Sequence, residues 1–165
     1  MTQKEFEALL KPDRYQVFLF ACPASMPFSV ACHTWFVINK KGVVERWEVG
    51  WGMHSRARSW SHLDLDVFPP HQGVQLISFV HFFFWRARLV TSIEGDEGSV
   101  AARMTEFITR SPDLYFYRHH YSLMGPNSNT YTQWVLNHFP EAHMQLPWNS
   151  LGKAKVASVP LLSLK

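Results

Sequence analysis

Residues 30–49 read VACHTWFVINKKGVVERWEV. β-Branched and aromatic residues fill both halves, and Lys40, Lys41 and Gly42 supply a turn between them. The pattern predicts an antiparallel hairpin. Upstream, Tyr15 to Ala21 has the same character and reaches the hairpin through a proline-containing connection, which predicts another strand. The whole stretch from Tyr15 to Ile38 is apolar, yet Pro23, Ser25, Pro27, Ser29 and His33 interrupt it. It therefore lacks the uncharged run of about 20 residues that a spanning helix needs.

Outside the hairpin, helical and extended signals are segregated rather than alternating. Thr2 and Glu5 form a capping-box pair ahead of Phe6, Leu9 and Leu10, which predicts a short first helix over Thr2 to Leu10. The segment from Gly50 to Gly73 holds Trp51, Trp60, Pro69 and Pro70 and reads as one long irregular loop, a candidate lid or binding element. Gln75 to Phe84 and Arg86 to Ile93 read as two more strands. Val100, Met104, Phe107 and Ile108 recur at helical spacing until Ser111 and Pro112 stop the pattern. Leu114 to Tyr121 reads as extended, and Asn129 to Phe139 as a final helix ended by Pro140. Without βαβ alternation this is an α+β protein, an antiparallel sheet with packed helices, in a single domain over residues 1–165.

Composition excludes several classes. The chain has 165 residues with 13 Phe, 7 Trp and 5 Tyr but only 18% charged residues, so most of its length folds rather than staying disordered. The formal charge of +3 is a mild bias with scattered basic residues, Arg56, Arg58, Arg86 and Arg88 coming nearest to a patch; nucleic acid is not expected as a partner. Cys22 and Cys32 show no disulfide framework or metal spacing, and the polar N-terminus lacks the layout of a secretory signal, so the expected location is cytoplasmic. His119 and His120 diverge on a strand and Pro140 separates His138 from His143, so no metal site is expected. No Walker loop, dinucleotide fingerprint or Gly-x-Ser-x-Gly elbow is present, and no cofactor is implied. The run from His81 to Arg88 joins aromatics to arginines; a core strand with charged ends is the preferred reading over contact with a membrane surface.

The chemistry-bearing motif is Gly125-Pro126-Asn127-Ser128-Asn129-Thr130, where a turn meets an apolar helix. Free backbone N–H groups and the positive end of the helix dipole gather there and favour an oxyanion, which makes Ser128 a candidate nucleophile. The same residue types are the favoured helix N-caps, a purely structural role. His33, between apolar strand residues, is the candidate base. Its orienting partner depends on the hairpin: a two-residue turn at Lys40-Lys41 brings Glu48 onto its face, whereas a three-residue turn brings Glu45 there. Cys32 cannot replace the serine, because adjacent strand residues point to opposite faces; Cys22 stays open.

GPNSNTY over Gly125 to Tyr131, with Tyr121, Leu146-Pro147, Gly152-Lys153 and His33-Thr34-Trp35, resembles the domain of unknown function family numbered 3750, over about Phe18 to Val156. The order of parts is also similar to the circularly permuted papain-like hydrolases of the NlpC and lecithin-retinol acyltransferase type, whose late motif is Asn-Cys where this chain has Asn127-Ser128. That resemblance implies a permuted papain-like arrangement. Two functions follow from it. One is a hydrolase or acyltransferase for an amide or ester, with Ser128 attacking, His33 accepting its proton and Glu48 orienting the imidazole. The other is an inactive relative that binds a peptide or lipid-like ligand, with Asn127, Asn129, Tyr121, Trp35 and Lys153 as binding residues and Trp51 and Trp60 shaping the cleft.

Overall fold

The computed structural model describes residues 1–52, 58–77, 80 and 82–158. The hairpin forms as β2 (Cys32–Lys40) and β3 (Val43–Val49), with Lys40 paired to Val43. Its loop is Lys41-Gly42, one residue later than the reading that placed Lys40 and Lys41 in the turn. Both loop residues have positive φ, 50° and 96°, as a two-residue turn matched to strand twist requires. Strand β1 (Tyr15–Pro23) pairs antiparallel with β2, and β8 (Arg88–Gly95) pairs with the other edge of β1.

The long loop after Gly50 carries more order than its composition suggests. Short strands β4 (Ser59–Trp60) and β5 (Leu63–Leu65) extend the sheet beside β3, giving six strands in the order β4-β5-β3-β2-β1-β8. Leu63 and Leu65 bury on one face while Asp64 points to the other, an alternation too short to stand out in the sequence. A separate two-stranded ribbon joins β6 (Gln72–Gln75) to β7 (Phe84–Arg86). The expected strand from Gln75 to Phe84 is thereby corrected: most of it is the connection between these two strands, and Phe82 and Phe83 are 86% and 62% exposed. Ser78, Phe79 and His81 lie outside the described residues, as do Arg56 and residues 53–55 and 57.

The helices follow their caps. Thr2 and Glu5 close a capping box on α1 (Gln3–Glu7), and Ser99 caps α2 (Val100–Thr109) by accepting from the Ala102 N–H. Pro112 does not stop the chain. It sits in the first turn of α3 (Ser111–Leu114), where a missing N–H costs nothing. The expected extended segment after Leu114 instead makes a 3₁₀ turn at Phe116–His119. The last helix, α4 (Ser128–His138), is capped by Asn127.

The pleat sorts side chains into two cores. Val17 and Leu19 of β1, Phe36 and Ile38 of β2, and Trp47 and Val49 of β3 meet α2 and α4 through Met104, Phe107, Tyr131 and Trp134. Phe18, Phe20 and Cys22 of β1 with Trp35 and Val37 of β2 form the second core on the reverse face, covered by Phe6 of α1 and by the ribbon through Val74 and Trp85. The protein is thus α+β, an antiparallel sheet between helices on one side and α1 with the ribbon on the other.

Candidate functional site

The observed register decides between the two glutamates. Ile38 faces Glu45 and Phe36 faces Trp47, so Glu45 belongs to the α4 side, where it accepts from the Trp47 indole at 3.2 Å and lies 3.3 Å from Lys40 Nζ. Glu48 belongs to the reverse face with His33 and Trp35. The pairing is displaced by two residues from the arrangement that puts Glu48 directly across from His33. A shift of two leaves the parity unchanged, and the side chains meet diagonally. His33 Nε2 and Glu48 Oε2 are 2.9 Å apart, both residues buried. Nδ1 of His33 makes no hydrogen bond among the described residues.

Arg46 completes this array. Two residues before Glu48 on the same strand face, its guanidinium donates from one terminal nitrogen to Glu48 Oε2 at 2.9 Å and brings Nε to 2.8 Å from Oε1. Its other terminal nitrogen donates to the carbonyls of Pro69 and Gln72, tying the 69–72 segment over the face. The plane stacks on Trp35 at 4.3 Å and approaches Phe68 at 5.4 Å. Burial pushes the Glu48 carboxyl upward, but the Arg46 charge and the hydrogen bond from His33 outweigh it and hold the group at about 2.

Ser128 is elsewhere. Thr34, the chain neighbour of His33, donates to Asn129 Oδ1 at 2.9 Å and shares a 2.7 Å hydrogen bond with Thr132. Helix α4 therefore sits on the Thr34 face, and the sheet separates its first residue from the His33 imidazole. The structure brings His33 and Glu48 together, and no hydrogen bond joins Ser128 to them among the described residues. Ser128 is 3% exposed, its carbonyl accepts from Thr132, and its hydroxyl makes no hydrogen bond to an imidazole among the described residues. Cys22, the cross-strand partner of His33, turns its thiol into the second core, where the Val74 N–H donates to it at 3.4 Å and burial pushes it up to about 12. It remains a thiol at neutral pH.

The Gly125–Thr130 motif instead fastens three chain segments. Asn127 accepts from the Asn129 and Thr130 N–H groups and donates to the carbonyls of Leu123 and Leu151. Asn129 donates to the carbonyls of Cys32 and Leu151, and Thr130 to that of Gly152. A β-carbon on Gly152, whose φ is 89°, would come within 2.5 Å of the Asn127 amide, so only glycine fits. The amide groups expected to bind ligand are consumed by these internal bonds. Trp35, also expected in the cleft, is wholly buried between Phe20 and Arg46. Tyr121 packs against the larger core near the His62 ring, and Trp60 stacks on Trp47; Trp51 is exposed. Lys153 Nζ donates to the Pro147 carbonyl.

An open cleft of about 250 Å³ lies where β1 ends and β2 begins. Ala21, Pro23, Cys32 and Asn149 contribute to its lining, together with Arg86 and Arg88. Ala21 pairs with Arg88 and with Thr34, which assigns Arg88 to the α4 face. Neither arginine makes an ion pair or side-chain hydrogen bond among the described residues. The Cys32 thiol, 3.0 Å from Ser150 Oγ, is raised by burial against the opposing pull of that hydroxyl, Arg88 and Lys153. Sequence reasoning saw Arg86 and Arg88 only as the nearest thing to a basic patch and overlooked Arg46. The Arg-x-Glu spacing of Arg46 and Glu48 was the available signal, since two residues apart on a strand share a face. Among the described residues no cluster of three or more His, Cys, Asp or Glu has metal-binding geometry, and no helix is long and apolar enough to cross a membrane.

A family model described as protein of unknown function, DUF3750, matches residues 14–154. The chain belongs to the DUF3750 family. The match takes in β1 to β8, the asparagine fastening and both arginines of the cleft, so the DUF3750 unit is the sheet with its helices and omits α1. No curated protein and no solved structure matches the chain.

Two outcomes follow from this geometry. Because the Glu48 carboxyl lies far below its ordinary 4.5 in the folded protein, its stabilisation is fully present above that pH and fades as pH falls toward about 2. Thermal melts should show a steeper loss of Tm over that acid range in the wild type than in Glu48→Gln, whose own cost at neutral pH is about 3–5 kcal/mol from the stranded Arg46 charge. Second, Asn129→Ala should destabilise more than Ser128→Ala in denaturant titrations, and a fluorophosphonate probe should leave Ser128 unlabelled.

Proposed function

We propose that this chain is a binding domain for a small ligand with an anionic group and an apolar portion, peptide or lipid-like, received in the cleft between β1, β2 and β7–β8. The observation that carries this reading is the pair Arg86 and Arg88, which make no ion pair or side-chain hydrogen bond among the described residues and line the same cleft as Ala21 and Pro23. A guanidinium without a carboxylate partner is suited to a carboxylate or phosphate, which it binds through charge-assisted and often bidentate hydrogen bonds. The apolar walls accept the remainder of the ligand. Asn127, Asn129 and Thr130 support the site from behind, by holding the Cys32 carbonyl and the carbonyls of Leu151 and Gly152 at its rim.

A second reading, hydrolysis at His33, is favoured by one observation: Glu48 fixes Nε2 while Nδ1 has no hydrogen-bond partner among the described residues, the arrangement of an oriented general base. The order of parts, an early hairpin histidine and a late Asn-Ser helix start packed on that hairpin, supports the permuted papain-like arrangement. The attacking group in such a hydrolase is water or a substrate hydroxyl, because Thr34 rather than His33 meets α4.

Calorimetric titration with dihexanoyl phosphatidylglycerol as a soluble probe tests the first reading. Binding that Arg86→Ala/Arg88→Ala weakens by about tenfold or more is the expected result; unchanged affinity in that variant overturns it. Ester turnover by the wild type that disappears in His33→Ala would establish the second reading, and it would replace the first only if the wild type fails to bind the probe.

A further inference from the structure

The end of the molecule around the cleft exposes large apolar side chains that the fold does not use. Phe28 and Val30 lie in the β1–β2 connection, Phe82 and Phe83 in the β6–β7 connection, and Trp148 in the segment after α4. Val30, Phe82 and Trp148 are each at least 80% exposed. These connections are laced together. The Met26 N–H donates to the Leu76 carbonyl at 2.8 Å, Ser25 Oγ to the Gln75 carbonyl at 2.6 Å, and Asn149 Nδ2 to the Val30 carbonyl at 2.8 Å. The five side chains thus belong to one end of the fold, an arrangement that marks an interaction surface rather than scattered exposure.

The charge pattern of the same end identifies what it meets. The chain has no Asp or Glu between Asp13 and Glu45, between Asp66 and Glu94, or after Glu141. Each of the three laced segments comes from one of these acid-free stretches, while Arg86 and Arg88 line the cleft among them. An apolar rim around two cations that make no ion pair among the described residues, without acidic residues in the contributing stretches, complements a surface that offers hydrocarbon beneath a layer of negative charge.

We infer that this end docks peripherally on an anionic lipid bilayer, with Phe28, Val30, Phe82, Phe83 and Trp148 entering the headgroup boundary and Arg86 and Arg88 meeting lipid phosphates. The inference rests on the cleft reading for its anion and commits that anion to a lipid source. The apolar tips stand independently of it. No described helix can cross a membrane, so the contact is interfacial and reversible. Aromatic side chains carry the insertion, and basic residues near the surface add roughly fivefold in affinity apiece, weakened by salt.

Flotation of the full chain with vesicles of phosphatidylcholine alone, and of phosphatidylcholine mixed with phosphatidylglycerol, is the test. The expected result is preferential flotation with the mixed vesicles that falls at high salt, and its loss in Phe82→Ser/Phe83→Ser and in Trp148→Ser. Both variants should keep the wild-type affinity for soluble dihexanoyl phosphatidylglycerol, since they alter exposed tips and not the cleft lining. Flotation that persists while the soluble probe fails to bind would overturn the cleft reading and leave the docking surface standing. Absence of flotation by a chain that binds the soluble probe, wild-type flotation by the double phenylalanine variant, or a dimer in sedimentation velocity with no vesicle binding would each overturn the docking surface.

Discussion

Thr34 and His33 are neighbours in β2 and must point to opposite sides of the sheet, and most of the architecture around them follows from that constraint. Thr34 is held by Asn129 and Thr132, which pins the start of α4 to one face. His33 is held by Glu48 on the other, where Arg46, Trp35 and the 69–72 segment close over it. One strand thereby couples two polar networks that do not touch. Each has a part to play in holding the fold, and neither contains a nucleophile facing its own base.

The cost of burying Arg46, wholly unexposed, is offset by a specific set of partners rather than by one ion pair. Two oxygens of Glu48, two backbone carbonyls and an aromatic face surround it. Such an arrangement does more to define where the 69–72 segment lies than to raise overall stability, because desolvation consumes much of the Coulombic gain. The asparagine fastening works in the same way on the opposite face. It satisfies the N–H groups at the start of α4 and, with the same side chains, the carbonyls of Cys32, Leu123 and Leu151. Outside both networks, Arg86 and Arg88 line the cleft at the end of β1 and β2 without an ion pair among the described residues, which leaves them chemically available.

Much of this was legible in the sequence where local signals were strong. The hairpin and the capped helices follow from residue period and caps, whereas parity left Glu45 and Glu48 both open as partners of His33 until the two-residue turn at Lys41-Gly42 put Glu48 on its face. What failed depends on long-range placement. Nothing local says which face of β2 receives α4, and the choice between His33 and Thr34 is made by packing of Phe36 and Ile38 against Tyr131 and Trp134. The Gly125–Thr130 motif has the look of a reactive helix start because helix caps and a nucleophile's surroundings use the same residue types. The aromatic run at Phe82 and Phe83 looked like a core strand by hydrophobicity, yet the ribbon pairs too few residues to bury it.

The surface that remains is the one the sequence described least. Its two arginines share a cleft with Cys32, the chain neighbour of His33, and its apolar tips come from three separate stretches that share only an absence of acidic residues. All of this rests on the division of β2 between two faces, and proton–proton contacts report that division directly. In a two-dimensional nuclear Overhauser spectrum, the Thr34 methyl should show cross-peaks to Asn129 and Thr132, and the His33 ring protons to Trp35. Cross-peaks between the His33 ring and the Ser128 β-protons would contradict the account and restore a serine–histidine site.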